Sequence, residues 1–152
     1  MRAVIQRSKS CSITINDTDI RPVEDGFFVL LGIEEEDTEE DAEWLAQKVI
    51  NMRVFSDEEG KMNLSLAQVE GGILIVSQFT LFASTKKGNR PSFIRSAKPD
   101  RAIPLYDFFV DECKKQYEFA DKIKTGEFGA DMKIQFVNDG PVTIIIDSKN
   151  KE

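Results

Sequence analysis

The sequence predicts a single mixed α/β domain. It consists of a largely antiparallel sheet, curled toward a barrel, with two main helices. Three observations predict it. Short β-branched and aliphatic runs recur along the chain, at Phe27–Ile33, Ile73–Val76, Met132–Val137 and Val142–Asp147. Two segments instead repeat apolar residues at helical spacing. No internal repeat or linker divides the chain, and 152 residues suit one domain with a sizeable core. This order of strands and helices fits a layered sheet-and-helix domain.

Each element has its own signal. Arg2–Gln6 and Ser12–Thr14 alternate like strands, separated by the polar run Arg7-Ser8-Lys9-Ser10, which reads as a bulge or a tight turn. Spacing does not decide whether Arg7 lies on the surface or reaches inward. Asn16-Asp17-Thr18-Asp19 is turn chemistry. Ile20–Val23 reads as an edge strand, because Pro22 cannot donate to a central ladder. Phe27–Ile33 reads as a buried strand. Asp37 or Thr38 should then cap a helix, with Glu40 or Asp41 placed for a capping-box contact. Ala42, Leu45, Ala46, Val49 and Ile50 form that helix's apolar face. Val54-Phe55 is extended and Ser56–Gly60 is a turn, while Lys61–Leu64 carries no clear signal.

Ile73–Val76 has the composition of a strand buried on both faces. Ser77, Gln78 and Thr80 follow at once. Buried polar side chains cost free energy unless they find partners. The stretch therefore reads either as a strand emerging into solvent or as a central strand whose end floors a site. Gly88–Phe93 is a loop by its breakers. A second helix spans about Asp100 to Tyr117, with Tyr106, Val110, Cys113 and Tyr117 on one face and Pro104 fitting if it lies in the first turn. Lys124-Thr125-Gly126 reads as a turn. The last two strands are joined by Asn138-Asp139-Gly140-Pro141, a hairpin turn by local chemistry.

Composition excludes several classes. The chain has no histidine, which removes Ser-His-Asp and Cys-His catalysis and most zinc sites. Metal and cofactor are therefore expected to be absent. Two cysteines, Cys11 and Cys113, do not make a disulfide framework. Neither a membrane-crossing run nor a signal-peptide core is present, so a cytoplasmic protein is expected.

The net charge of −7 is unevenly spread. Glu34–Glu43 holds eight acids and no base. Ser84–Arg101 holds Lys86, Lys87, Arg90, Arg95, Lys98 and Arg101 against Asp100 alone. A basic loop directly after the Ser77–Thr80 stretch suits a polyanion, although solvated surface would look the same on charge alone.

Ser77-Gln78-Phe79-Thr80 and Asn138-Asp139-Gly140-Pro141-Val142-Thr143, taken together, resemble the D-aminoacyl-tRNA deacylase family, which carries a Ser-Gln-x-Thr and a Gly-Pro motif. The likeness runs nearly end to end and includes Gln6-Arg7, Phe55-Ser56-Asp57, Gly60–Asn63, Arg90–Phe93, Pro99–Ala102, and Thr125-Gly126 through Ala130-Asp131-Met132. Cys11 stands where the family usually has alanine.

The resemblance implies a homodimer that hydrolyses the ester between a D-amino acid and the tRNA 3′ end, and that also clears glycine misattached to tRNA-Ala. It implies a cis Gly140-Pro141 bond reaching into the partner subunit's pocket, where its carbonyls would accept the substrate's ammonium and exclude an L side chain by clash. Arg7 would hold that turn. Ser77, Gln78, Phe79 and Thr80 would cradle the ester, with backbone N–H groups near Phe79 and Thr80 at the oxyanion. The terminal ribose 2′-OH would assist water, which accounts for a site without histidine. Thr80 as a covalent nucleophile lacks an adjacent base. Lys86, Lys87 and Arg90 would meet the tRNA backbone, and Ala130 and Met132 would line the adenosine pocket. Some relatives carry a C-terminal extension tied to DNA binding; this chain stops soon after its last strand, so DNA is not expected, nor is a membrane. The competing readings are a silent nucleic-acid-binding module and a related deacylase for L-alanine misattached to tRNA.

Overall fold

The computed structural model describes residues 1–152, and the mixed α/β domain with two helices is what it contains. Its spine is β1 (Arg2–Ile15). Along one edge β1 pairs antiparallel with β3 (Gly26–Gly32) and then β2 (Asp19–Val23); along the other it pairs with β8 (Met132–Asp147) over almost its whole length. β3 continues in parallel to β6 (Gly72–Ser77), and β6 in parallel to β7 (Ile123–Thr125). The sheet is nearly closed and barrel-like. A separate hairpin joins β4 (Arg53–Ser56) to β5 (Met62–Ser65), which gives the uninformative Lys61–Leu64 stretch a role.

Three sequence expectations change here. Arg2–Gln6 and Ser12–Thr14 are one strand, because the polar run between them bulges without ending the pairing. Lys9 faces Val137 and Ser12 faces Gln135, so two residues of β1 oppose one of β8. That extra residue switches the buried face. Ala3 and Ile5 enter the main core, whereas Cys11, Ile13 and Ile15 enter a second cluster with Phe28, Leu74 and Val76. The second change is Asn138–Pro141, which is no hairpin. Both halves of β8 pair with the same strand, and the four residues Asp139–Val142 loop out opposite Arg7 alone, between the pairs Ser8–Asn138 and Gln6–Thr143. Finally, Lys124-Thr125 belongs to β7 rather than to a turn.

The helices cover one face of the sheet. α1 (Glu39–Asn51) buries Ala42, Leu45, Ala46, Val49 and Ile50, as its spacing predicts. Thr38 is its N-cap, and both its backbone N–H and its hydroxyl donate to Asp41. Asp37 has a different task. It is fully buried and receives the Met1 ammonium at 2.5 Å, while Ser148 accepts from the same ammonium. α2 (Pro99–Gln116) buries Tyr106, Phe109, Val110 and Cys113. Pro104 lies in its second turn, not its first, leaving the Asp100 carbonyl without an i+4 donor. The Tyr106 hydroxyl donates to the Ile75 carbonyl at 2.8 Å, tying α2 to β6 without an unpaired buried group. Both cysteines are free and buried, and burial pushes the Cys11 thiol up to about 11. No helix is long and apolar enough to cross a membrane.

The Asp41 carboxyl gives the fold an acid dependence. Burial pushes it up, but hydrogen bonds from Lys149, Ser148 and Thr38 outweigh burial and hold it well below the usual carboxylate range. The folded chain thus binds this proton more weakly than the unfolded chain. Its contribution is complete above about pH 4 and is lost as pH falls through the folded value. Asp41→Asn should therefore flatten the loss of stability between about pH 5 and pH 2, read from urea unfolding. An unchanged slope would contradict this. Asp37, whose carboxyl is raised chiefly by burial, acts with the opposite sign and also feels the Asp41 charge, so the change in slope reports the two carboxyls together.

Candidate active site

β6 ends where β3 ends. Leu31 faces Ser77 in the parallel ladder, and the Gln78 N–H makes the last bond, to the Leu31 carbonyl at 2.8 Å. The chain then turns into a short 3-10 helix, Phe79–Phe82. Gln78 and Thr80 are consequently not strand residues, and alternation stops at Ser77. The helix's first bond runs from Leu81 N–H to the Gln78 carbonyl. The N–H groups of Phe79 and Thr80 precede that bond, so no carbonyl of the turn stands behind them. Phe79 and Thr80 are exposed, and Ser77 and Gln78 are half-buried. Two adjacent free donors at the end of a central strand are suited to an oxygen that gains negative charge.

The side chains around this turn are ordered by contact. The Gln78 amide donates to the Thr80 hydroxyl at 2.6 Å. A donor, not a base, therefore faces that hydroxyl. Phe79 meets the Phe93 ring edge-on, with centroids 5.0 Å apart. Its carbonyl accepts the Ser96 hydroxyl at 2.7 Å.

The basic loop rises beside it. Ser84 and Ser92 exchange backbone bonds at its base, so Lys86, Lys87 and Arg90 lie at an exposed tip. Two other cations of the loop are engaged. Arg95 pairs with Glu34 at 2.8 Å, and Arg101 donates to the carbonyls of Glu35 and Asp37. The acidic run is thus the seat of the loop's return segment as well as a helix cap. This pairing and the Ser96 contact escaped the sequence reading. The complementary charge of the two runs was the one available signal.

Gly126 brings β8 close to the end of β6. A Cβ on Gly126 would come within 2.5 Å of Met132 Sδ and 3.5 Å of Val76, so a side chain there would displace the end of Met132. Met132 and Ala130 pack against the second cluster, alongside Val76.

The Gly140-Pro141 bond is cis, the isomer the resemblance implies. Arg7 reaches inward to it. Its Nε donates to the Asp139 carbonyl at 2.9 Å and its Nη1 to the Val54 carbonyl at 2.8 Å, and Nε lies 3.3 Å from the Asp139 carboxylate. Asn138 closes the excursion by accepting the Val142 N–H. Gly140 has φ +138°, and a Cβ there would press on Val142 and on Arg7.

Within one chain this turn and Thr80 do not meet. Arg7 is level with Phe27, and Phe27 with Ile73, whereas Ser77 lies four residues further along β6. At ~3.3 Å per residue and ~4.8 Å between strands, from β8 across β1 and β3 to β6, the separation is on the order of 20 Å along the sheet. The two motifs are therefore well apart within one chain. A concavity of about 940 Å³ between α1 and the end of β8 is lined by Trp44, Lys48 and Ile144 to Asp147 and includes none of these residues.

The chain was compared with known proteins. Residues 4–147 match the family described as D-Tyr-tRNA(Tyr) deacylase. A protein of Cytophaga hutchinsonii named D-aminoacyl-tRNA deacylase is 57% identical over 152 residues, covering all of both chains. Among solved structures, one titled c-Myc DNA Unwinding Element Binding Protein is 40% identical, with a TM-score of 0.90 over 97% of this chain and 98% of that one. Another, titled a probable eukaryotic D-amino acid tRNA deacylase, shares the fold at a TM-score of 0.76 and 20% identity over 95% of this chain and 97% of that one.

Proposed function

The chain belongs to the D-Tyr-tRNA(Tyr) deacylase family, and from that premise we propose that it hydrolyses D-aminoacyl-tRNA as a homodimer whose two pockets each draw on both subunits. The observation that carries this reading is the separation of Gly140-Pro141 from Thr80. A pocket that uses both motifs needs one from each of two chains. The exposure of Phe79, Thr80, Gly140 and Pro141 in the single chain supports the same arrangement.

In the proposed pocket the ester carbonyl of the charged tRNA lies against the N–H groups of Phe79 and Thr80. These polarise it and receive the charge that develops as water attacks. The ribose 2′-OH of the terminal nucleotide assists that water. The partner's Gly140-Pro141 turn, held by its own Arg7, faces the amino acid's Cα. An L side chain would run into this backbone and a D side chain would point away, whatever its chemistry. Glycine has no side chain to exclude, so glycine on tRNA-Ala is also a substrate. Ser77 and Gln78 complete the cradle, and Ala130 and Met132 face the terminal adenosine.

The experiment is release of amino acid from tRNA-Ala charged with glycine or with L-alanine. Glycine should be released and L-alanine retained. The reverse result would indicate the L-alanine deacylase instead.

Two predictions probe the roles within the site. Thr80→Ala should lower kcat by about tenfold or less, because the hydroxyl faces a donor and not a base; loss of a true nucleophile costs about 10⁶-fold. Capture of an acyl group on Thr80 by mass spectrometry would contradict this. Replacing Lys86, Lys87 and Arg90 together by Ala should raise KM and reduce its log–log salt slope by about 2, since three phosphate contacts release fewer counterions. An unchanged slope would make the loop tip ordinary surface.

A further inference from the structure

We infer that Ser96 is a positioning residue for this reaction, orienting the Thr80 N–H through the far end of its own peptide unit. The inference rests on the proposed role of the Phe79 and Thr80 N–H groups at the ester carbonyl. The Phe79 carbonyl and the Thr80 N–H belong to one planar amide and point in opposite directions. A hydrogen bond that holds the carbonyl therefore aims the N–H. Ser96 supplies that bond, its hydroxyl donating to the Phe79 carbonyl at 2.7 Å.

The turn needs such a hold. Phe79 is 54% exposed, and the 3-10 turn follows the last ladder bond of β6 directly. The Phe79 carbonyl otherwise holds only the Phe82 N–H, through a bond of the 3-10 helix itself with its poorer geometry, so without the Ser96 hydroxyl the Phe79–Thr80 amide can rock about the flanking dihedrals. Donation to the carbonyl also polarises the amide, which strengthens the N–H as a donor.

Ser96 is itself fixed from the same strand that carries β6. The Ala97 N–H donates to the Ile33 carbonyl at 2.9 Å, and Glu34 and Ser96 form a β-bridge. The Ser96 N–H donates to the Phe93 carbonyl at 3.0 Å. The Arg95–Glu34 pair clamps the neighbouring residue, and the Arg95 guanidinium lies over the Phe82 ring. The turn is thus referenced twice to β3 and its continuation: through Gln78 N–H on Leu31, and through Ser96 on the Phe79 carbonyl. The acidic run gains a reason to face the basic loop, since it seats the residue that aims a catalytic N–H.

The test compares Ser96→Thr with Ser96→Val. The two side chains have nearly the same shape and differ in the hydroxyl. On D-tyrosyl-tRNA, Thr should stay within about threefold of the wild-type kcat, and Val should fall about 10- to 100-fold, the scale of a slightly misaimed catalytic group. KM should agree within about twofold for all three proteins, because the substrate's grip on the loop tip is untouched. Equal kcat for Thr and Val, whether both are active or both inactive, would overturn the assignment. A change in KM alone would overturn it too, making Ser96 a loop residue. A wild-type protein that releases no D-tyrosine would instead overturn the proposed function on which the inference rests.

Discussion

Two inactive variants, Gly140→Trp and Thr80→Trp, should regain activity when their subunits are mixed. Each homodimer carries the same defect in both pockets. A dimer with one subunit of each kind has one pocket built from the intact Gly140-Pro141 turn of one chain and the intact Thr80 of the other. After dissociation and equal reassociation, half the dimers are mixed and each has one working site of two, so about a quarter of wild-type activity should return. The wild-type rate on D-tyrosyl-tRNA should fall below detection in each variant alone. Native mass spectrometry should first show that both variants form dimers, which matters for Gly140, where φ is +138° and a side chain would press on Arg7. Mixed dimers without restored activity would assign the Gly-Pro turn to its own subunit's pocket, against the separation of about 20 Å along the sheet.

Part of this arrangement was legible before the fold. The two helices announced themselves through periodicity, β3 and the first half of β6 through continuous apolar runs, and Pro22 marked the edge strand β2. The long pairing of β1 with β8 did not. Polar residues at Arg7–Ser10 and Asn138–Pro141 carry local turn chemistry, and local chemistry cannot say whether a strand ends or merely bulges. That depends on a partner more than a hundred residues away. β7 is three residues long, too short to show a period. For the candidate site, Ser77–Thr80 and Gly140-Pro141 were singled out because the motif pair resembles a family. Ser96 was not, since the role proposed for it rests on one hydrogen bond between residues 17 positions apart. The charge runs were visible as composition, but their meeting through Glu34 and Arg95 required the loop to fold back over 61 residues.

Asp37→Ala should be among the most damaging single changes to stability. Its carboxylate and the Met1 ammonium are both fully buried, and it also receives the Glu34 N–H. Removing one member of a buried pair leaves the other charge without solvent or partner, at a cost of about 3–5 kcal/mol. For a chain of this size that corresponds to a fall in Tm of about 10 °C. The pair joins the start of β1 to the loop before α1 and, through Ser148, to the end of β8, so the loss should be cooperative over the whole domain. Urea unfolding checks it: a change below about 1 kcal/mol would mean that water replaces the carboxylate.

The central claim is chiral selection by backbone rather than by a histidine or metal centre. Its most direct measurement is the hydrolysis rate of matched D- and L-tyrosyl-tRNA by the purified protein, with and without strong chelator. The account predicts release of D-tyrosine at a rate the chelator does not change, and L-tyrosyl-tRNA lost only at its spontaneous rate. Comparable release of both enantiomers, or D-specific release that stops with chelator and returns with zinc, would contradict it.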